Sequence, residues 1–257
     1  MTSTSVGSEP LNTVGHRTFI RGVGVLGLTE ALLRLRGLVL IPVLTKYYGA
    51  FDYGVWAQVT VLATALYPVV ALTSDASLLR FLPGSSRDVI RRGFSAVMLL
   101  VAIAAVLTVA ALTLGARPLA VVFFGGAENA RFVQLCGWTV LAAVLTNSCR
   151  AFLRVIGRPG AYGTVNIIQS AYTAIIPVAL MIAHRDLYAI VFWSVIADLV
   201  LAGLLIAVIG LTYGLCLPDR EQILQFLRFG LPLLPAGYAV WALNASCLLY
   251  TSPSPRD

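Results

Sequence analysis

Seven stretches of the chain, at about 19–46, 52–73, 93–115, 132–153, 162–183, 187–213 and 226–246, run for roughly 20 residues or more with almost no charge. A helix rising about 1.5 Å per residue needs about 20 apolar residues to cross a hydrocarbon core of about 30 Å, so each stretch is long enough to span a bilayer. Helices are the expected element, because a helix satisfies its own backbone donors and acceptors and these runs lack the period-two alternation of membrane strands. The composition agrees: 59% of the 257 residues are apolar and 11% charged, against about 45–50% and 25% in soluble domains. A disordered chain, a nucleic-acid module and a disulfide scaffold are excluded. The expected fold class is an all-α polytopic membrane protein.

The formal net charge is +7, but the basic residues are spread over short loops rather than gathered into a patch, so they read as topology and not as a nucleic-acid footprint. With the N-terminus in the cytoplasm, the inner tail, loops and adjoining helix ends hold Arg17, Arg21, Arg80, Arg87, Arg91, Arg92, Arg150, Arg154, Arg158, Arg220 and Arg228. The outer side holds Lys46, Arg117, Arg131 and Arg185. The excess of basic residues on the inner side places the N-terminus there. Residues 1–17 are polar, without the apolar core of a secretory signal, and read as a cytoplasmic tail. The outer connections are short; 116–131 has room for one short interfacial helix, and Gly157-Arg158-Pro159-Gly160 is a turn by its chemistry. Function is therefore expected inside the helix bundle.

Cys136, Cys149, Cys216 and Cys247 lack metal or redox spacing and read as small packing residues, and no cofactor or metal is expected. Pro42, Pro68, Pro177, Pro232 and Pro235 fall in or near helices and free carbonyls there.

A charge near mid-bilayer costs about 2.5–3.5 kcal/mol, which makes the few present informative. The first helix carries Arg21, Glu30, Arg34 and Arg36. Glu30 and Arg34, four residues apart with the acid nearer the N-terminus, share one face, while Arg36 points elsewhere. One reading is an ion pair plus snorkelling to an interface. The preferred reading is that Arg34 and Arg36 face a water-filled cavity and hold an anionic group, since Glu30 neutralises one arginine of the two. Asp198, near the middle of the sixth helix, is a counter-ion to the arginines, a proton or cation coupling site, or a neutral acid bonded to a neighbouring helix. Asp75 and Arg80 are expected at the interface.

The first and seventh helices open alike, Phe19-Ile20-Arg21 and Phe226-Leu227-Arg228, each followed by a nearby glycine. A six-helix spacing gives both starts the same orientation, as in transporters of two parallel halves. The run Arg36-Gly37-Leu38-Val39-Leu40-Ile41-Pro42-Val43-Leu44-Thr45-Lys46-Tyr47-Tyr48-Gly49, followed by Asp52-Tyr53-Gly54-Val55-Trp56, resembles the first hairpin of bacterial polysaccharide flippases of the Wzx type. Phe229-Gly230-Leu231-Pro232-Leu233-Leu234-Pro235 with Trp241-Ala242-Leu243-Asn244-Ala245-Ser246 is similar to the opening of that family's second half. The resemblance implies the multidrug, oligosaccharidyl-lipid and polysaccharide exporter superfamily, two helix bundles around a cavity that alternates between membrane faces. Residues 18–213 would be the first six-helix bundle and 214–246 the loop and opening helix of the second. Residues 247–257, Cys-Leu-Leu-Tyr-Thr-Ser-Pro-Ser-Pro-Arg-Asp, look like translated adapter sequence, so a piece of a longer protein is expected.

What the resemblance implies for function is the flipping of undecaprenyl-diphosphate-linked oligosaccharide from the inner to the outer leaflet of the bacterial inner membrane. The chain is then expected not to be an enzyme, with membrane lipids, a polysaccharide polymerase and glycosyltransferases as partners and no nucleic acid. Arg34 and Arg36, carried over by position in the first helix, would bind the diphosphate, Glu30 would tune them, and Asp198 would carry a coupling ion. The alternatives are a multidrug exporter of the same superfamily, whose cationic substrates call for an acidic cavity, and a membrane glycan polymerase or ligase, whose usual large outer loop is missing here.

Overall fold

The computed structural model describes Lys46, Tyr47, Gly49 and residues 52–72, 74–214 and 216–250, the last seven by backbone alone. These residues form helices α1 (52–71), α2 (Ser74–Phe81), α3 (Arg87–Leu114), α4 (Ala116–Phe124), α5 (Ala130–Val155), α6 (Pro159–Ile182), α7 (Leu187–Tyr213) and α8 (Arg220–Tyr250), with a 3-10 turn at Ala127–Asn129 and no strand among them. Six helical segments are long and apolar enough to cross a membrane, from Asp52–Phe81 to Arg220–Leu243. The protein is an all-α, multi-pass membrane protein. Residues 1–45, with Glu30, Arg34, Arg36 and Pro42, lie outside the described residues, as does residue 215.

Short chemistry sets the helix ends. Arg158 and Pro159 open α6, where proline's missing N–H is no loss. Gly157, at φ +68°, ends the turn after α5 in a left-handed conformation that glycine adopts without strain. α4 is the short helix for which the 116–131 loop had room.

α5 is the centre of the bundle. Of its most apolar window 56% is buried, against 28% or less for every other span. It packs against α2, α3, α4, α6 and α7. Small residues allow the closest approach: a Cβ on Gly137 would lie 3.2 Å from the Val109 Cα, so α5 meets the backbone of α3 there. One core cluster joins α3 and α5 through Phe94 and Phe152, both at most 1% exposed with ring centroids 4.3 Å apart. A second, toward the other end, gathers Leu112, Phe124, Val133, Cys136, Met181 and Ile190. Cys136 and Cys149 are fully buried packing residues, as expected.

α8 lies against α2 and α3. The buried Phe226 and the neighbouring Phe229 pack on Phe81, and the Arg80 guanidinium sits 4.9 Å from the Phe229 ring centre. Trp241 donates to the Thr64 hydroxyl at 3.4 Å.

The second span is not continuous. Leu72 adopts φ +47° and interrupts the helix four residues after Pro68, whose missing N–H already leaves the Thr64 carbonyl without its helical donor. Helices α6 and α8, by contrast, continue through Pro177, Pro232 and Pro235.

Candidate functional site

Helices α1, α5, α6 and α7 line a half-open cavity of about 500 Å³, within the range of small-molecule sites. Its apolar lining includes Val59, Ala63, Val140, Pro177 and Val195. The polar lining comes from every wall: Thr60, Thr64 and Tyr67 on α1, Thr139 and Asn147 on α5, Thr173 on α6, and Ser194 and Asp198 on α7. The hydroxyls of the four threonines donate to the carbonyls four residues back, Trp56, Thr60, Leu135 and Gln169, the usual way a membrane helix accommodates a hydroxyl.

Asp198 is half-buried and faces this cavity from the middle of α7. Its Oδ1 accepts from the Tyr172 hydroxyl and, at 3.3 Å, from the Gln169 amide. Gln169 in turn accepts from Arg150 at 2.9 Å. Arg150 also donates to Asn166 at 2.6 Å and to Asn147. One guanidinium thus ties three neutral carbonyl oxygens on α5 and α6 into a chain that ends on a carboxylate of α7. Arg150 has no carboxylate within ion-pair distance among the described residues; amides accept its hydrogen bonds, and Asp75 lies close enough to feel its charge.

Beside this chain lies the break in the second span. The Tyr67 hydroxyl donates to Asp75 at 3.3 Å, and Asn147 reaches the same hydroxyl. The Asp75 Oδ1 is buried without a hydrogen-bond partner, while Ser74 and Ser148 share a buried hydrogen bond of 3.2 Å. Broken helices of this kind put polar backbone and side chains at membrane depth, where they are tolerated if they line a cavity or are packed in protein.

The sequence expectations meet this geometry unevenly. Asp198, which stood out as a lone acid in an apolar run, accepts hydrogen bonds from Tyr172 and Gln169 of α6 and lines the cavity. Arg80 is exposed at a helix end, and Asp75 packs under Tyr67 with an oxygen shut off from solvent. Arg150, counted as a helix-end basic residue, instead turns inward into the chain of amides. Arg34, Arg36 and Glu30 lie outside the described residues. Tyr172, Gln169 and Asn166 carried a signal that went unread: three polar side chains spaced three apart in an apolar run trace a stripe along α6. Among the described residues no three His, Cys, Asp or Glu side chains group as metal ligands.

The basic residues do separate by end. Arg80, Arg87, Arg91, Arg154 and Arg158 contact Phe229, Thr212, Cys216, Tyr162 and Tyr213, all at the end where α3, α6 and α8 begin. His184 meets Tyr47 at 3.3 Å at the opposite end.

Residues 19–246 match the family described as polysaccharide biosynthesis protein. No curated protein and no solved structure matches the chain.

Proposed function

We propose, from the premise that the chain belongs to the polysaccharide biosynthesis protein family, that it is a transporter which flips a lipid-linked oligosaccharide diphosphate across the bacterial inner membrane. The observation that carries this reading is a half-buried arginine, Arg150, held by amides and joined through Gln169 to the cavity-facing Asp198 inside an otherwise apolar bundle. Such groups are costly in a membrane and mark pathways for polar cargo or ions. In this reading the N-terminus is cytoplasmic and the first six spans form one half of a two-bundle exporter. Arg34 and Arg36 hold the diphosphate, Glu30 tunes them, and Asp198 carries the coupling ion. No covalent step is required, so the protein is not an enzyme; its partners are the lipid-linked substrate, membrane lipids and the polymerase and glycosyltransferases that use the product.

One observation favours a multidrug exporter instead: the charged residue lining the cavity, among those described, is the acid Asp198. The two readings separate in one experiment. R34A/R36A and D198N are introduced into the complete gene, and lipid-linked repeat units on the inner leaflet are quantified together with efflux of a lipophilic cation. A flippase accumulates repeat units in R34A/R36A and loses the pH dependence of transport in D198N. A multidrug exporter loses cation efflux in D198N while surface polysaccharide stays normal in both. Normal polysaccharide in a correctly inserted R34A/R36A protein overturns the flippase reading.

A further inference from the structure

The hydrogen bonds around Arg150 run outward in three arms, and two of them end on acids. Toward the cavity the guanidinium donates to Gln169 at 2.9 Å, and the Gln169 amide donates to Asp198 at 3.3 Å. Toward the break in the second span it donates to Asn147, Asn147 reaches the Tyr67 hydroxyl, and that hydroxyl donates to Asp75 at 3.3 Å. The third arm stops at Asn166, whose Nδ2 has no partner. An amide that accepts at its oxygen keeps its N–H groups for the next acceptor, so each arm points its donors away from the arginine. One cation therefore stands between two carboxylates on different helices, Asp198 on α7 and Asp75 on α2. The other ionisable groups around Asp198 are Tyr172 on α6 and Tyr67 on α1, which lines the same cavity. Those acting on Asp75 are Tyr67 on α1 and Arg154 and Arg150 on α5; among the described residues α3 and α8, also packed on α2, contribute none.

The two oxygens of Asp75 differ. Oδ2 takes the Tyr67 hydrogen bond, while Oδ1 is buried with no partner. A bare anionic oxygen away from water is costly, and a proton on it removes the charge. We propose that Asp75 is a second proton-binding carboxylate, paired with Asp198 through the shared guanidinium of Arg150, so that the two acids hold a proton in alternation. With Asp198 neutral, Arg150 serves Asp75 alone and keeps it ionised; with Asp75 neutral, the charge returns to Asp198. Each uptake forms one O–H bond on a carboxylate oxygen as a hydronium breaks one of its own and leaves as water. The pairing rests on the hydrogen-bond geometry, and its place in a transport cycle rests on the proposed transport reading. In that cycle the alternation carries the state of the cavity to the helix break, because Tyr67 and Asp75 lie on either side of Leu72, and α2 bears Phe81 and Arg80 against α8.

The test follows the C=O stretch of protonated carboxyl groups by infrared difference spectroscopy while the full chain, in nanodiscs, is titrated with acid. Wild type is expected to show one band that is lost in D75N and another that is lost in D198N. In D198N the Asp75 band is expected to appear about one pH unit lower, roughly a tenfold loss of proton affinity, because Arg150 then serves a single anion. Q169L cuts the arm that leads to Asp198, and in that background D198N is expected to move the Asp75 band far less. Should D75N fail to fold, D75E carries the test, since it keeps a titrating acid and shifts the band rather than removing it. No band assignable to Asp75 by either variant, an Asp75 band that D198N leaves in place, or the same displacement with and without Gln169 each overturns the proposal. No substrate enters the measurement, so it stands apart from the transport reading, which falls instead on normal polysaccharide in R34A/R36A.

Discussion

Replacing Arg150 with Met keeps an unbranched apolar stem and removes the donors that Asn147, Asn166 and Gln169 share. A buried acceptor left without its donor costs about 1–3 kcal/mol. Asn147 lines the cavity and Gln169 is half-buried, so water takes over part of the arginine's role there. Asn166 is 1% exposed and its Nδ2 already lacks a partner; without Arg150 the whole amide is stranded and pays in full. Together the loss should reach about 2–4 kcal/mol, a fall in Tm of roughly 5–12 °C for a chain of this size. The assay is thermal unfolding in detergent followed by the fluorescence of Trp56, Trp138, Trp193 and Trp241, for wild type, R150M, N166L and R150M/N166L. Because removing both partners of a buried bond leaves neither orphaned, the double variant should recover at least about 1 kcal/mol over the sum of the singles. An R150M protein melting within about 1 °C of wild type, or strictly additive singles, would refute the claim that Arg150 is held for its hydrogen bonds.

Gly137→Ala should destabilise by about 1–3 kcal/mol, because the added methyl meets the Val109 backbone rather than a side chain that can turn away. Gly203→Ala on α7, where a Cβ meets nothing within 4 Å, should be neutral or stabilise by about 0.5–1 kcal/mol in the same melting assay. Phe152→Ala removes a fully buried ring that touches both Phe94 and Tyr213 and should cost about 3–5 kcal/mol, read as lost monodisperse yield on size-exclusion chromatography. Phe152→Leu should retain most of that yield.

The spans were legible because a bilayer demands unbroken apolar length, and length survives any uncertainty about packing: each apolar run from 52 onward becomes a helix within several residues of its expected ends, and the 116–131 loop holds the expected short helix. The interruption at Leu72 was not legible from Pro68 alone, since Pro177, Pro232 and Pro235 sit in helices that continue. Whether a proline breaks a membrane helix depends on what neighbours satisfy the freed carbonyl, and that is a tertiary property. Asp198 stood out because a lone carboxylate in a long apolar run is costly. Arg150 did not, because five residues from a helix end it counts equally well as topology, and only the amides of α6 decide that it turns inward. The cover that Tyr67 places over Asp75 was equally hidden, since nearness to a helix end in sequence says nothing of what packs above a side chain.

The four threonines around the cavity have a chemical consequence. Each has already committed its single hydroxyl proton to its own helix, so what it offers inward is lone pairs, and Asp198 adds an anion. To a guest this stretch of the interior behaves less like water than like an ether with a fixed negative pole. Such a lining suits a hydronium, an alkali cation or an ammonium better than phosphate oxygens, so on the proposed transport reading a diphosphate and a coupling cation would occupy different compartments of the same molecule.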